Sequence, residues 1–91
     1  MTTKLLKCSG NGLEINADAS NGFIKVEVLD EQGEVVPGYS LDDCDAYSKD
    51  EVRGRVTWGG KDLYGLLDRP IRLVFQMQMA KFYAFKFVSC M

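Results

Sequence analysis

The sequence has no histidine, only two prolines and a single tryptophan in 91 residues. Because histidine is absent, Ser-His-Asp and Cys-His catalysis and histidine-rich zinc sites are excluded. A chain of this length builds one modest core and leaves little room for a deep cleft. We therefore expect residues 1–91 to form a single domain that is a binding or accessory module and not an enzyme.

The sequence also lacks an excess of positive charge and long apolar runs. Eleven basic residues stand against thirteen acidic ones, whereas phosphate binding needs a concentrated positive field. No apolar run approaches the roughly 18 residues of a spanning helix, and the first residues are too short and mixed for a secretory signal. We therefore expect neither nucleic acid nor a membrane as partner. The sequence does not decide whether a secretory signal precedes this chain.

Three cysteines, Cys8, Cys44 and Cys90, lie far apart and cannot all pair within one chain. A Cys8–Cys90 disulfide is one interpretation, since the terminal strands of small sandwiches can be neighbours. Three reduced, partly buried thiols are the other. The redox compartment therefore stays open.

Turn-forming pairs with glycine or proline recur along the chain, at residues 10–12, 21–22, 32–33, 37–38 and 59–60. The segments 13–16 and 23–29 between them alternate apolar with polar residues, which predicts half-buried strands. Residues 30–34 predict a hairpin turn into Val35 and Val36, and Pro37 ends that pairing because it has no N–H to donate.

The second half of the chain continues this pattern. Residues 53–58 predict a strand, and Asp62 is placed to cap one helical turn over residues 63–67. Residues 71–88 contain neither glycine nor proline and predict two long strands joined by a turn at 78–81. The whole pattern predicts an all-β protein, a single antiparallel β-sandwich, jelly-roll-like, with one short helical turn.

Several segments in a fixed order carry a family resemblance. They are residues 22–30 (GFIKVEVLD), 36–45 (VPGYSLDDCD), 56–58 (VTW) with 62–63 (DL), 69–75 (RPIRLVF) and 80–85 (AKFYAF). They resemble a β-sandwich accessory domain appended to secreted bacterial glycoside-hydrolase-like and sialidase-like proteins, similar to carbohydrate-binding modules. The resemblance implies an extracellular, non-catalytic module of a secreted protein, whose partners are a polysaccharide or oligosaccharide and a catalytic domain of a larger glycan-active protein.

Carbohydrate-binding surfaces combine flat aromatic rings with hydrogen-bonding groups for the sugar hydroxyls. The candidate carbohydrate-binding residues are Trp58, Tyr47, Tyr39, Tyr64, Phe82 and Arg55. Tyr47 lies in a polar run and is expected to be exposed, whereas Trp58 has the alternative of capping one end of the core. Alternation along the last strand places Tyr83, Phe85 and Phe87 on the core face and Phe82 on the opposite face.

An acidic stretch holds five carboxylates within residues 42–51. Oxygen-rich loops of this kind can hold calcium. The candidate ligands of one structural calcium ion are Asp42, Asp43 and Asp45. The alternative is an acidic loop that is simply solvated. No cofactor is expected to be required. Neighbouring carboxylates on an exposed loop lack the burial and separation of a glycosidase pair.

These observations lead to one main hypothesis and one alternative. The chain is expected to be a non-catalytic module that recognises a polysaccharide, and the resemblance suggests a soluble β-glucan. The alternative is a structural domain that packs on a glycoside hydrolase catalytic domain and has no affinity for sugar.

Overall fold

The computed structural model of the chain describes residues 2–66 and 69–88, with the side chains of residues 51–53 outside the description. Six strands follow one another as β1 (Leu6–Lys7), β2 (Gly12–Asp18), β3 (Phe23–Leu29), β4 (Asp50–Val56), β5 (Pro70–Gln78) and β6 (Lys81–Val88) in the described chain, with a 3-10 turn at Tyr64–Leu66 before β5. Two sequence predictions, the Cys8–Cys90 pairing and the end of the helical turn at residue 67, involve residues outside this description.

The strands form two antiparallel three-stranded sheets, ordered β1-β5-β3 and β4-β2-β6. The predicted all-β, sandwich-like class is confirmed. In β3 the apolar residues Ile24, Val26 and Val28 are buried, as their alternation with polar residues predicted.

The core lies between the sheets and is built from every second residue of three long strands. These residues are Leu13, Ile15 and Ala17 of β2, Ile24, Val26 and Val28 of β3, and Ile71, Leu73 and Phe75 of β5. Each is at most 3% exposed. Burial of one such aliphatic or aromatic side chain stabilises a fold by about 1.5–3 kcal/mol.

The turn after β3 forms where the sequence predicts it. The backbone N–H of Asp30 donates to the carbonyl of Glu34 at 2.8 Å, and the Asp30 carboxylate accepts the N–H groups of Gln32 and Glu34. Beyond the turn, Val35 forms an isolated bridge to Leu29 and no continuous strand.

The β6 strand contains a bulge that changes the predicted orientation of its side chains. Asn16 of β2 pairs with Ala84, and Ala17 pairs with Phe82, so Tyr83 is an extra residue in the ladder. An extra residue shifts the alternation of every side chain beyond it. Strict alternation from Lys81 to Val88 therefore does not hold.

The bulge turns Phe82 inward and Tyr83 outward. The Phe82 and Phe85 rings lie 4.8 Å and 5.4 Å from the core ring of Phe75, whereas Tyr83 is 63% exposed. The prediction that Phe82 faces outward and Tyr83 lies in the core is wrong, because it assumed that side chains alternate regularly along the whole strand.

The chain crosses between the sheets at two corners that pack against each other, residues 19–22 and 79–80. A Cβ atom on Gly22 would lie 2.7 Å from the Met79 Cβ and would also overlap the carbonyl oxygen of Gln78. Met79 itself adopts a positive φ of 53°, which a side chain tolerates at some cost in free energy. Position 22 therefore requires glycine, because there is no space for a side chain between the two corners.

Substitution of Gly22 tests this packing. Gly22→Ala forces apart the two corners and should lower the free energy of unfolding by about 1–3 kcal/mol, as overpacking does. Gly65→Ala is the matched control, because the nearest atom to its added Cβ is 4.0 Å away. Urea denaturation of both variants measures the difference, and equal destabilisation would contradict the corner packing.

Candidate functional site

Three of the predicted sugar-stacking rings lie in the core. Trp58 is 1% exposed, Tyr47 is 5% exposed and Tyr39 is 7% exposed. The prediction that these rings face solvent is wrong for all three, because distant segments of the chain cover each of them.

Trp58 is held by a hydrogen bond and a ring contact. Its indole Nε1 donates to the carbonyl of Val26 at 2.8 Å, and the Tyr39 ring meets it edge-on at 5.2 Å between centroids. The Tyr39 hydroxyl in turn donates to the carbonyl of Asp62 at 2.6 Å, and burial raises the pKa of this phenol. The alternative that Trp58 belongs to the core is confirmed.

Tyr47 is buried despite its polar neighbours in sequence. Its backbone exchanges two hydrogen bonds with Ile24 of β3, at 2.8 Å and 2.9 Å. Its ring lies over Gly54 of β4, and a Cβ atom there would overlap the ring and hydroxyl. The local sequence could not show this, because both contacts are distant along the chain.

Asp45 caps a tight turn formed by residues 58–61. Its carboxylate accepts hydrogen bonds from the Thr57 hydroxyl at 2.7 Å and from the N–H of Gly60 at 2.9 Å. Gly59 and Gly60 both adopt positive φ, as this turn requires. These hydrogen bonds, that of Thr57 above all, hold the pKa of Asp45 below its ordinary value of 3.8.

The neighbouring residues also serve the fold. Asp43 accepts a hydrogen bond from the Ser40 hydroxyl at 2.9 Å, whereas Asp42 is exposed. The Cys44 sulfur accepts one from the N–H of Val26 at 3.3 Å, and burial raises the pKa of this thiol. In the described part of the chain no three His, Cys, Asp or Glu residues are grouped as a metal site, so these contacts lend no support to the predicted calcium site.

The carboxylate of Asp45 makes the thermal stability depend on pH. Because the folded-state pKa is lowered, its contribution is complete above the ordinary value of 3.8 and is lost as pH falls through the folded pKa. Asp45→Asn should lower the Tm at neutral pH and reduce the loss of Tm on acidification. Asp42→Asn is the control and should leave the Tm unchanged. Circular dichroism melts measure both, and identical pH profiles for Asp45→Asn and the parent would refute the cap.

Two aromatic rings are more than half exposed in residues 2–66 and 69–88. Tyr64 is 73% exposed, as expected of a candidate binding residue, and Tyr83 is 63% exposed. Tyr64 lies on the 3-10 turn between the buried residues Leu63 and Leu66, and its N–H donates to the Asp62 carboxylate at 2.9 Å. Tyr83 lies on β6.

Tyr83 lies on the side of the β4-β2-β6 sheet that faces away from the core. We call this side the outer face. Its described side chains are Glu14, Asn16 and Asp18 of β2, Asp50 and Arg55 of β4, and Lys81, Tyr83, Ala84 and Lys86 of β6. Register places Glu14 between Arg55 and Lys86, and Asn16 opposite Ala84. Arg55 Nη2 lies 3.6 Å from the Glu14 carboxylate.

The outer face combines one exposed ring with groups that can hydrogen-bond hydroxyls. Asn16 offers an amide donor and acceptor, and the pair of Glu14 and Arg55 offers a carboxylate beside a guanidinium. Arg55 was predicted from the sequence as a binding residue, whereas Tyr83 was assigned to the core. Tyr83 was misassigned because the bulge could not be predicted: β6 contains no glycine or proline that would mark it.

No protein-family model matches this chain, and no curated protein or solved structure shows significant similarity to it. Among the described residues, none forms a helix long and apolar enough to cross a membrane.

Proposed function

We propose that this chain is a non-catalytic carbohydrate-binding module of jelly-roll-like β-sandwich type, which binds a polysaccharide chain on its outer face. The observation that carries the proposal is the Tyr83 ring, which is 63% exposed on a strand of the sheet. Beside it on the same face lie Asn16, Glu14 and Arg55. Soluble β-glucan, the ligand that the family resemblance suggested, is the first polysaccharide to test.

The stacking contact would use the small side chain beside the ring. Ala84 follows Tyr83 on the exposed side of β6, so the next residue along the strand is too small to cover the ring. The apolar C–H face of a pyranose would lie on the ring, and the polar side chains of β2 and β4 would receive its hydroxyls. If the contact is comparable to that of an aromatic pair, about 0.5–1.5 kcal/mol, we expect weak binding that gains strength when the module is attached to a larger protein.

The module would act outside the cell as part of a secreted, glycan-active protein, where it would keep a catalytic domain close to its substrate. This part of the proposal rests on the resemblance of residues 22–85 to accessory domains. The absence of histidine agrees with a surface that holds a ligand without reacting with it.

A second function, packing against a catalytic domain without affinity for sugar, is favoured by one observation. Met79 is 72% exposed at the corner between the sheets, and Met77 is 36% exposed near it in sequence. Exposed methionines adapt to the shape of a protein partner. This function predicts no binding to any polysaccharide.

Affinity electrophoresis on a panel of soluble polysaccharides separates the two functions. Retardation by at least one polysaccharide supports binding, and Tyr83→Ala should weaken the affinity about fivefold because the stacking contact is lost. Tyr64→Ala removes an equally exposed ring on the 3-10 turn and should have no effect. Retardation that Tyr64→Ala abolishes and Tyr83→Ala does not would place binding at that turn. Migration unchanged by every polysaccharide would favour packing against a protein.

A further inference from the structure

β6 is an edge strand of the β4-β2-β6 sheet, and its backbone on the side away from β2 is open. Outside the ladder with β2, residues 81–88 make no backbone hydrogen bond or bridge to any other described residue. None of the eight residues of β6 is buried. Phe82, Phe85 and Phe87 pack only partly against the core. Apolar surface therefore lies beside open backbone, which is where a second copy of a chain can pair.

The other edge strands are each protected from such pairing. β1 is only two residues long. β3 is covered by the loop residues Tyr39 and Tyr47, whose backbones hydrogen-bond to it. In β4 two residues oppose the single residue Asn16 of β2, which makes a bulge. Short strands, covering loops and bulges are all means by which sheets avoid pairing between molecules.

The sequence of β6 would pair well with its own copy if the strand were regular. Antiparallel pairing of two identical strands is symmetric about one residue. Without Tyr83, seven of the eight residues of β6 remain and Phe85 is at their centre. In the register about Phe85, Lys86 lies opposite Ala84 of the copy, and Lys81 lies opposite Val88. The lysines avoid each other, and the phenylalanine rings meet on the inner side of the sheet.

The bulge excludes this register. The extra residue Tyr83 interrupts the alternation, so the longest regular stretch of β6 is residues 84–88. Symmetric pairing of this stretch is centred on Lys86, which then lies directly opposite Lys86 of the copy. Like charges at directly opposed positions are destabilising. Glu14 of β2 lies opposite Lys86 but is 3.6 Å from Arg55, so it reduces this repulsion only in part.

We infer that the bulge at Tyr83, together with Lys86, prevents the chain from pairing with a second copy through β6. The inference is independent of the proposed function, because it concerns the backbone edge of the strand and not a ligand on the outer face. The extra residue is thus assigned a role that its side chain does not perform.

Deletion of Tyr83 tests the inference, and Tyr83→Ala is the matched control. The deletion restores regular alternation, and at about 100 μM it should give a species of twice the 10.2 kDa of one chain. Tyr83→Ala removes the ring but keeps the extra residue, so it should remain a monomer like the parent. Ala84→Lys added to the deletion places a lysine opposite Lys86 of the copy and should restore the monomer. Size-exclusion chromatography with light scattering measures all four masses.

Lys86→Thr is a second test that leaves the bulge in place. It removes the like charges from the register of residues 84–88 and should allow dimers at about 1 mM protein. Lys81→Thr is its control, because Lys81 lies beyond the bulge, and it should remain a monomer. Circular dichroism melts establish which variants are folded, and an unfolded deletion variant would leave the decision to Lys86→Thr.

Three results would overturn the inference. The first is a folded deletion variant that stays monomeric. The second is a parent chain that is already a dimer and that Ala84→Lys dissociates. The third is a Lys86→Thr variant that is as monomeric as Lys81→Thr. Dimers of Tyr83→Ala as stable as those of the deletion would also contradict it, because the ring and not the extra residue would then prevent pairing.

Discussion

The hydrogen bond from the Trp58 indole to the carbonyl of Val26 is the contact on which the long connections depend. It joins the segment after β4 to the middle of β3 inside the core. Tyr39 packs on the indole from the connection between β3 and β4, and Asp45 fixes the turn that follows Trp58. An indole N–H buried without an acceptor is costly, so these segments have one favourable arrangement, in which they cover the open edge of β3.

This arrangement gives the residues of the family resemblance a physical role. The tyrosine of the Pro-Gly-Tyr-Ser segment contacts the indole ring, the cysteine of the Asp-Cys-Asp segment accepts a hydrogen bond from β3, and the second aspartate caps the turn. All three stabilise the loops. A resemblance carried by such residues reports how a chain folds and does not report what it binds.

Much of the fold could be predicted from the sequence, because alternation in β3 and β5 reflects burial of one side of each strand. The site was harder to predict. Tyr47 has polar neighbours in sequence, and only its pairing with Ile24 and its contact with Gly54 bury it. Tyr83 was misplaced because a bulge depends on the register between two strands. Both errors arise from contacts between distant segments, which composition and periodicity do not record.

The bulge in β6 also affects how the outer face could vary among related chains. The residue at position 83 has no partner of its own in β2, while Phe82 and Ala84 keep theirs. Loss or replacement of this one residue would leave the inward rings of Phe82 and Phe85 in register with the core. The exposed ring can therefore be exchanged with little effect on folding, and the outer face can change its chemistry at this position while the sandwich beneath it stays the same.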